Sequence, residues 1–214
     1  MPVSRVLITA FEAFGGETQN PSLEIAQGLR PTRKVKLEVI ALPVVFDLCL
    51  RVLAERVASF NPDLVIALGQ AGGRSMLSLE RVAINVNDAR IPDNQGQQPI
   101  DSCVIEGAPD AYFSRLPLKR MLKALHDEGI PAHISNTAGT YVCNHLMFGL
   151  LDLISTRYPK VKGGFIHVPF LPEQAIRHGA PSMSLETMTR GIELCLQACL
   201  ENAPEPVLAA GETH

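Results

Sequence analysis

The hydrophobic and polar positions of the chain follow two alternating patterns. Short, almost wholly apolar runs, typical of strands buried on both faces, are separated by longer segments with apolar residues every three or four positions, typical of amphipathic helices. The patterns predict strands at 5–10, 35–42, 64–68, 79–86, 130–134 and 164–168, and helices at 21–29, 47–60, 117–128, 142–158 and 184–201. Prolines and glycines within 88–107 predict an irregular segment there, and the tail after 203 is expected to be frayed.

Strands that alternate with helices predict an α/β fold of three layers, in which a mostly parallel, twisted sheet carries helices on both faces. Ligand sites in such sheets lie beyond the carboxyl ends of the strands. Functional residues are therefore expected in the loops that follow positions 10, 68, 86, 134 and 168. Because no stretch has the composition of a linker, we expect a single domain over residues 1–214.

Composition and charge exclude several classes of protein. Hydrophobic residues make up 46% of the chain and charged residues 19%, which is typical of globular and not of disordered proteins. The 19 Lys and Arg are balanced by 22 Asp and Glu, and no basic segment predicts nucleic-acid binding. No apolar run approaches the roughly 18 residues that span a bilayer, so no membrane association is expected. Residues 1–5 lead directly into the first strand, which indicates a cytoplasmic protein without a signal peptide.

The chain has five cysteines, and one of them stands out by its position. The odd number and the absence of CxxC spacing predict free thiols and no zinc site, and we expect no metal and no cofactor. Cys195 and Cys199, one turn apart in the last helix, are predicted to pack in the core. Cys143 falls near a helix N-terminus, where unpaired N–H groups favour a thiolate and can bind an oxyanion. The alternative interpretation of Cys143 is an ordinary buried cysteine.

A nucleophilic cysteine needs a base, and the base needs an orienting group. His145 is a poor partner for Cys143 because residues two apart on a helix do not share a face. His167 is better placed, near the end of an apolar strand, and the less favoured alternative is a hydrogen-bonded core histidine. Glu80 is the acidic candidate, and the signal is weak because glutamates in strands usually face solvent.

Two glycine-containing loops follow predicted strands. Loop 11–16 carries two phenylalanines three residues apart, which predicts either core packing or the apolar wall of a binding site. Loop 69–74 lacks both the GxGxxG and the GxxxxGK[ST] pattern, so a nucleotide site is disfavoured. Its glycines favour close approach of the backbone to a ligand.

Taken in order, a series of short segments resembles pyroglutamyl peptidase type I, also called pyrrolidone carboxyl peptidase, over most of the chain. These segments are 9–16, 20–22, 69–74, 80–85, 88–94, 135–144 and 165–172. Ala10 and Ala13 depart from the Gly and Pro that the family commonly has, which should make the loop between the phenylalanines less rigid. Neither change removes a catalytic group, so activity is expected to survive.

The resemblance implies a metal-free cysteine peptidase that removes an N-terminal pyroglutamyl residue from peptides and proteins and is usually a homo-tetramer in bacteria. It makes Cys143 the nucleophile, His167 the general acid/base and Glu80 the residue that orients the imidazole. The oxyanion would bind the Cys143 backbone N–H, with Arg90 as a second candidate. The ring pocket that it implies consists of Phe11, Phe14, Gln70, Ile91, Tyr141 and Val142, with the lactam bonded to the Gln70 backbone.

The chemistry of the substrate agrees with such a site. A pyroglutamyl residue is a neutral lactam without the free ammonium that ordinary aminopeptidases bind, so an aromatic slot with a few hydrogen bonds suits it. Two alternatives stay open. A glutaminase-like Cys-His-Glu amidohydrolase would normally have glycines beside its nucleophile, whereas Val142 and Asn144 flank Cys143. A non-catalytic binding or thiol-sensing protein would keep the fold without turnover.

Overall fold

The computed structural model describes residues 4–31 and 35–211. Residues 1–3, on which the expectation of no signal peptide partly rests, lie outside the described part. The elements in chain order are β1 (Arg5–Phe11), α1 (Pro21–Gly28), β2 (Lys36–Leu42), α2 (Leu48–Phe60), β3 (Leu64–Gln70), β4 (Leu77–Glu80), β5 (Val82–Ile84), β6 (Ala111–Phe113), α3 (Leu118–Asp127), β7 (Ala132–Ser135), α4 (Val142–Thr156), β8 (Lys162–Val168), α5 (Pro172–His178) and α6 (Leu185–Leu200).

A six-stranded sheet in the order β2-β1-β3-β8-β4-β7 forms the middle layer. The first four of these strands are parallel to one another. β4 runs antiparallel to β8 and parallel to β7. Helices α1, α3 and α6 pack on one face through one apolar cluster, and α2 and α4 pack on the other face through a second cluster. The predicted three-layer α/β architecture with a mostly parallel sheet is therefore confirmed.

The hydrophobic pattern explains the elements that position the site. Every residue of β3 is buried, as its uninterrupted apolar run predicts for a strand covered on both faces. The last helix begins as predicted, because the Ser184 side chain accepts a hydrogen bond from the Thr187 N–H at 3.1 Å. Gly129 follows α3 with a φ of 70°, a conformation that glycine adopts without a steric penalty.

The structure differs from the sequence predictions in several elements. The single strand predicted over 79–86 is two strands, because β4 ends at Glu80 and β5 pairs with β6 in a separate two-stranded sheet. Strand β6 and helix α5 were not predicted, since three and seven residues are too few to display a clear period. Because β4 and β7 run against the other strands, the loops that follow them do not leave from the same sheet edge.

The C-terminal tail was also predicted wrongly. Residues 201–211 have no regular structure, but they are held against the body of the protein. Arg120 donates hydrogen bonds to the carbonyls of Glu201 and Ala203, and Lys119 donates one to the carbonyl of Leu208. In the part of the chain that is described, no helix combines the length and the hydrophobicity needed to cross a membrane.

Candidate active site

Cys143 is the second residue of α4 and lies against strand β3. A Cβ atom placed on Gly69 of β3 would be only 3.1 Å from the Cys143 Sγ atom. In the sheet, Gly69 is the direct partner of His167 on β8. The missing side chain at position 69 therefore lets the thiol approach the sheet beside His167, and both residues line the same cavity.

His167 and Glu80 form a buried hydrogen-bonded pair. The distance between His167 Nδ1 and Glu80 Oε1 is 2.7 Å, and the two side chains are 4% and 0% exposed. The antiparallel register places Ser78 opposite His167, so Glu80, two residues further, lies on the same face of the sheet. An ionised carboxylate only accepts, so the Nδ1–H donates and Nε2 keeps a lone pair that can take up a proton. The alternative of a solvent-facing Glu80 is wrong.

Arg74 is a third member of this cluster that the sequence did not single out. Its Nη1 donates to Glu80 Oε1 at 2.6 Å, and its Nη2 donates to the Thr137 carbonyl at 3.1 Å. Burial raises the pKa of Glu80, but the hydrogen bond and attraction of His167, together with the charge of Arg74, lower it below its usual value. Glu80 is consequently ionised at neutral pH.

The Cys143 thiol is in a different electrostatic situation from the one predicted. Burial raises its pKa to about 12, the negative charge of Glu80 acts in the same direction, and Arg74 opposes them. The helix N-terminus favours a thiolate, as expected, but it competes with a dry and partly anionic environment. A thiol with a raised pKa can act as a nucleophile only if a base accepts its proton.

The cavity in front of Cys143 is small, with a volume of about 140 Å³. Drug-sized ligands occupy pockets of roughly 300–1,000 Å³, so this cavity suits a single small ring. None of the described residues that line it is Asp, Glu, Lys or Arg. The lining residues are Phe11, Phe14, Asn20, Val44, Gln70, Ala138, Tyr141, Val142, Cys143 and His167.

Five of the six predicted pocket residues line this cavity; the exceptions among the predicted site residues are Ile91 of the pocket and the oxyanion candidate Arg90. Ile91 and Arg90 are exposed on the irregular segment 88–107 and do not line the cavity. Asn20, Val44 and Ala138 line it although they were not predicted. The Asn20 side chain fixes the loop, since its Nδ2 donates to the Glu12 carbonyl at 2.9 Å.

His145 points away from the site, as its spacing from Cys143 predicts. Its Nε2 accepts a hydrogen bond from the Asp47 backbone N–H at 3.0 Å, and its Nδ1 lies 3.0 Å from Asn87 Oδ1. Burial lowers its pKa to about 4, although Asp47 partly opposes this. His145 is therefore neutral and ties the first turn of α4 to the start of α2.

Comparison with known proteins places this cavity in a family. The sequence model of a family described as pyroglutamyl peptidase matches residues 4–202. Pyrrolidone-carboxylate peptidase 1 of Photorhabdus laumondii is 49% identical over 217 residues, which cover 98% of this chain and 99% of that protein. The pyrrolidone-carboxylate peptidase of Bacillus cereus strain G9842 is 50% identical over 212 residues, with coverages of 98% and 99%. The chain belongs to the pyroglutamyl peptidase family.

Solved structures agree with this assignment. The pyroglutamyl peptidase I of Bacillus amyloliquefaciens superposes with a TM-score of 0.90 at 45% identity, covering 92% of this chain and 95% of that one. A mutant pyrrolidone carboxyl peptidase from Pyrococcus furiosus gives a TM-score of 0.86 at 45% identity, with coverages of 92% and 98%. As a member of the pyroglutamyl peptidase family, the chain is a cysteine peptidase, and the predicted family is confirmed.

One further residue holds the first turn of α4, which carries Cys143, in place. Asn144 is fully buried, and its Oδ1 accepts a hydrogen bond from the Ile84 N–H at 3.0 Å. Its Nδ2 donates to the carbonyls of Ile84 and Val86 at 2.9 and 3.0 Å. These three bonds hold the first turn of α4 against the end of β5. No local sequence pattern indicates this role, because the partners lie about 60 positions away along the chain.

Proposed function

We propose that the enzyme removes the N-terminal pyroglutamyl (5-oxoprolyl) residue from peptides and proteins, with Cys143 as nucleophile, His167 as general acid/base and Glu80 as the group that orients His167. One observation carries the proposal. A thiol and a carboxylate-paired histidine open into a ring-sized cavity whose described lining contains no Asp, Glu, Lys or Arg.

The uncharged lining selects the kind of substrate. A free N-terminal ammonium that enters a dry cavity must be paired with an anion, since an unpaired buried charge is strongly unfavourable. Glutamine would bring an ammonium and a carboxylate, and both would lack a charged partner. A pyroglutamyl ring is neutral and flat, and it can pack against Phe11 and Phe14 while its lactam groups form hydrogen bonds. The rest of the peptide extends out of the cavity.

The acylation step follows from the state of the two reacting residues. Cys143 Sγ attacks the main-chain carbonyl carbon of the pyroglutamyl residue, the one in the scissile peptide bond, as the thiol proton moves to His167 Nε2. The carbonyl oxygen becomes an oxyanion, for which the Cys143 backbone N–H at the start of α4 is the proposed donor. His167 then gives its proton to the amide nitrogen, the C–N bond breaks, and the peptide leaves with a new N-terminus.

Deacylation uses the same groups in the reverse order. His167 Nε2 takes a proton from water as the water oxygen attacks the thioester carbonyl. The C–S bond breaks, free pyroglutamate leaves, and the proton returns from His167 to the thiolate. In both steps the ionised Glu80 stabilises the imidazolium and keeps the Nδ1–H tautomer. The charge of Arg74 adds to the hydrogen bond of His167 in keeping the buried Glu80 ionised.

The homo-tetramer, the cytoplasmic location and the contributions of Arg90 and Ile91 stay predictions of the family resemblance. Both residues lie on the segment that also carries Pro92, whose carbonyl accepts a hydrogen bond from the Tyr141 hydroxyl at 3.0 Å. Tyr141 lines the cavity, so a shift of this segment would reach the pocket.

The direct test is hydrolysis of a fluorogenic pyroglutamyl amide by the purified chain, with glutamine and a leucyl amide as competing substrates. We expect turnover of the pyroglutamyl amide alone. The Cys143→Ser variant should retain less than about a tenth of the wild-type rate, because the nucleophile carries most of the catalysis. Its thermal midpoint should be nearly unchanged. Release of ammonia from glutamine, or no turnover by folded enzyme, would refute the proposal.

A further inference from the structure

Gln174, on helix α5, forms a buried hydrogen-bond junction behind the cavity. Its side chain is fully buried, and its Oε1 accepts a hydrogen bond from the Leu171 backbone N–H at 3.1 Å. Its Nε2 donates to Glu17 Oε2 at 3.2 Å and to Gln70 Oε1 at 3.0 Å. The junction therefore joins α5 to the loop after β1 and to the end of β3, which are far apart in the sequence.

The partners of Gln174 leave its amide only one orientation. The Leu171 N–H can only donate, so it must meet the amide oxygen of Gln174. The ionised Glu17 carboxylate can only accept, so it must meet the amide nitrogen. The two contacts agree, and the Nε2 group that remains for Gln70 is a donor.

The orientation of Gln70 follows from that of Gln174. Because Gln174 presents a donor, Gln70 must present its amide oxygen to it. The Gln70 NH₂ group then points away from the junction, and Gln70 is one of the residues that line the cavity. The polar group that the Gln70 side chain offers to a ligand is consequently a donor and not an acceptor.

We propose that Gln174 is a positioning residue for substrate specificity, which holds the Gln70 carboxamide with its NH₂ group towards the cavity as a donor to the ring carbonyl of the lactam. The inference rests on the proposed function and adds to it a second source of hydrogen bonds, beside the Gln70 backbone. A ring without that carbonyl, such as proline, would leave the donor unpaired.

Glu17 is itself held as an acceptor by charged neighbours. His178 Nε2 lies 2.7 Å from Glu17 Oε1, and Arg177 forms an ion pair with Glu17 Oε2. The hydrogen bond from His178, supported by Gln174 and by the charge of Arg177, keeps the pKa of Glu17 below its usual value despite partial burial. Glu17 lies on the same loop as Phe14.

A charge-neutral exchange of the two side chains tests the proposal. In Glu17→Gln/Gln174→Glu, the carboxylate at position 174 still accepts from the Leu171 N–H and from the new amide at position 17. It can then only accept from Gln70, so Gln70 must rotate and present its oxygen to the cavity. The net charge and the size of the two side chains are nearly unchanged, whereas the polarity offered to the lactam is inverted.

The readout is the inhibition constant of pyrrolidinone, the bare lactam ring, together with kcat and KM for the pyroglutamyl amide. We expect the exchange to raise the inhibition constant and KM about tenfold or more, the factor that corresponds to losing one buried hydrogen bond. The value of kcat should change much less, because the reacting groups are untouched. A purely structural role would lower the thermal midpoint without this separation of KM from kcat.

Two controls separate the possible outcomes. Glu17→Gln alone leaves Leu171 to orient Gln174, so lactam inhibition should stay near wild type. Gln19→Ala removes another contact between the same loop and α5, the 3.3 Å bond to Glu173, without touching Gln70. It should also leave lactam inhibition unchanged.

An exchange variant that binds pyrrolidinone like wild type would overturn the inference. If that variant does not fold, Gln174→Met decides, since it frees Gln70 to rotate and should weaken lactam inhibition, and an unchanged inhibition constant would again overturn it. A wild-type enzyme that ignores pyroglutamyl amides counts against the proposed function instead, whereas an active wild type with an unaffected exchange variant counts against this inference alone.

Discussion

The two ends of the cavity are built on opposite electrostatic principles. At the catalytic end, ionised Glu80 pairs with His167, and Arg74 pairs with Glu80. At the ring-binding end, the groups that line the cavity are neutral, and the charges of Glu17 and Arg177 are held behind a layer of amides. In the proposed reaction, charged residues lie near the group that becomes charged, His167. The residues that would contact the neutral ring are themselves uncharged.

This difference predicts that changes at the two ends will affect different kinetic constants. Groups at the catalytic end act on a transition state, so their loss should appear in kcat. Groups at the ring-binding end act on a ring that is unchanged during the reaction, so their loss should appear mainly in KM. The variants below test this separation, from the largest expected effect to the smallest.

Glu80→Gln should cause the largest loss at the catalytic end. A neutral amide can hold the imidazole but no longer stabilises the imidazolium, and it can favour the wrong tautomer. We expect kcat to fall by about 10² or more, with KM changed little. Steady-state kinetics with a pyroglutamyl amide measure both constants. An unchanged kcat would show that His167 depends on another partner.

Arg74→Gln should reduce kcat by about tenfold, because Glu80 loses a charged donor that helps to keep it ionised in the interior. The Thr137 carbonyl, in the loop before Cys143, loses one of its two hydrogen bonds as well, and keeps the one from Ser135 Oγ. Since the pKa of Glu80 is lowered in the folded state, its contribution to stability is present at neutral pH and is lost as the pH falls through that lowered value. In Arg74→Gln that loss should begin at higher pH. The pH midpoint of acid unfolding measures this, and equal midpoints for wild type and Arg74→Gln would contradict the prediction.

Phe14→Ala tests the ring-binding end without touching a polar group. Removal of one aromatic wall should raise KM about tenfold, the loss expected for part of an aromatic packing contact, while kcat stays within a few-fold of wild type. Phe14 lies 6.3 Å from Tyr141, measured between ring centroids, so some reorganisation of that ring is expected. A fall in kcat with an unchanged KM would break the proposed separation of the two ends.

His145 lies outside both ends of the cavity, so the variant His145→Gln should have the smallest effect on activity. Its pKa of about 4 in the folded protein lies below that of a free imidazole, so the unfolded chain binds the proton first as the pH falls. The contribution of His145 to the free energy of unfolding should therefore be constant above about pH 6.5 and decrease towards pH 4, by up to about 3 kcal/mol. Denaturant unfolding of wild type and His145→Gln measures this slope, which should be shallower in the variant. Equal slopes would rule out His145 as the origin.

Features that depend on neighbouring residues in the sequence could be predicted, whereas features that depend on residues far apart could not. Strands β1, β3 and β8 and the longer helices were predicted because each displays its own pattern over many residues. The directions of β4 and β7 could not be read, since a strand of four residues has the same pattern in either direction. Cys143 and His167 could be singled out by their positions in predicted elements.

Other parts of the site were beyond local patterns. The role of Glu80 depended on the family resemblance, because a strand glutamate has no feature that marks it as buried. Arg74 belongs to segment 69–74, which resembles the family, but its pairing with Glu80 is seen only in the folded structure. The Gln70–Gln174 contact joins residues 104 positions apart, so no local sequence pattern could predict it.

The measurement that tests the central claim most directly is the reaction of the enzyme with the aldehyde analogue of pyroglutamate. Addition of the Cys143 thiol across the aldehyde carbonyl gives a thiohemiacetal, which needs ring binding and the nucleophile at once. We predict an adduct on Cys143, detected by NMR with a labelled aldehyde carbon. It should be absent in Cys143→Ser and much weaker with prolyl aldehyde. An adduct on another cysteine, or equal reaction with prolyl aldehyde, would contradict the account.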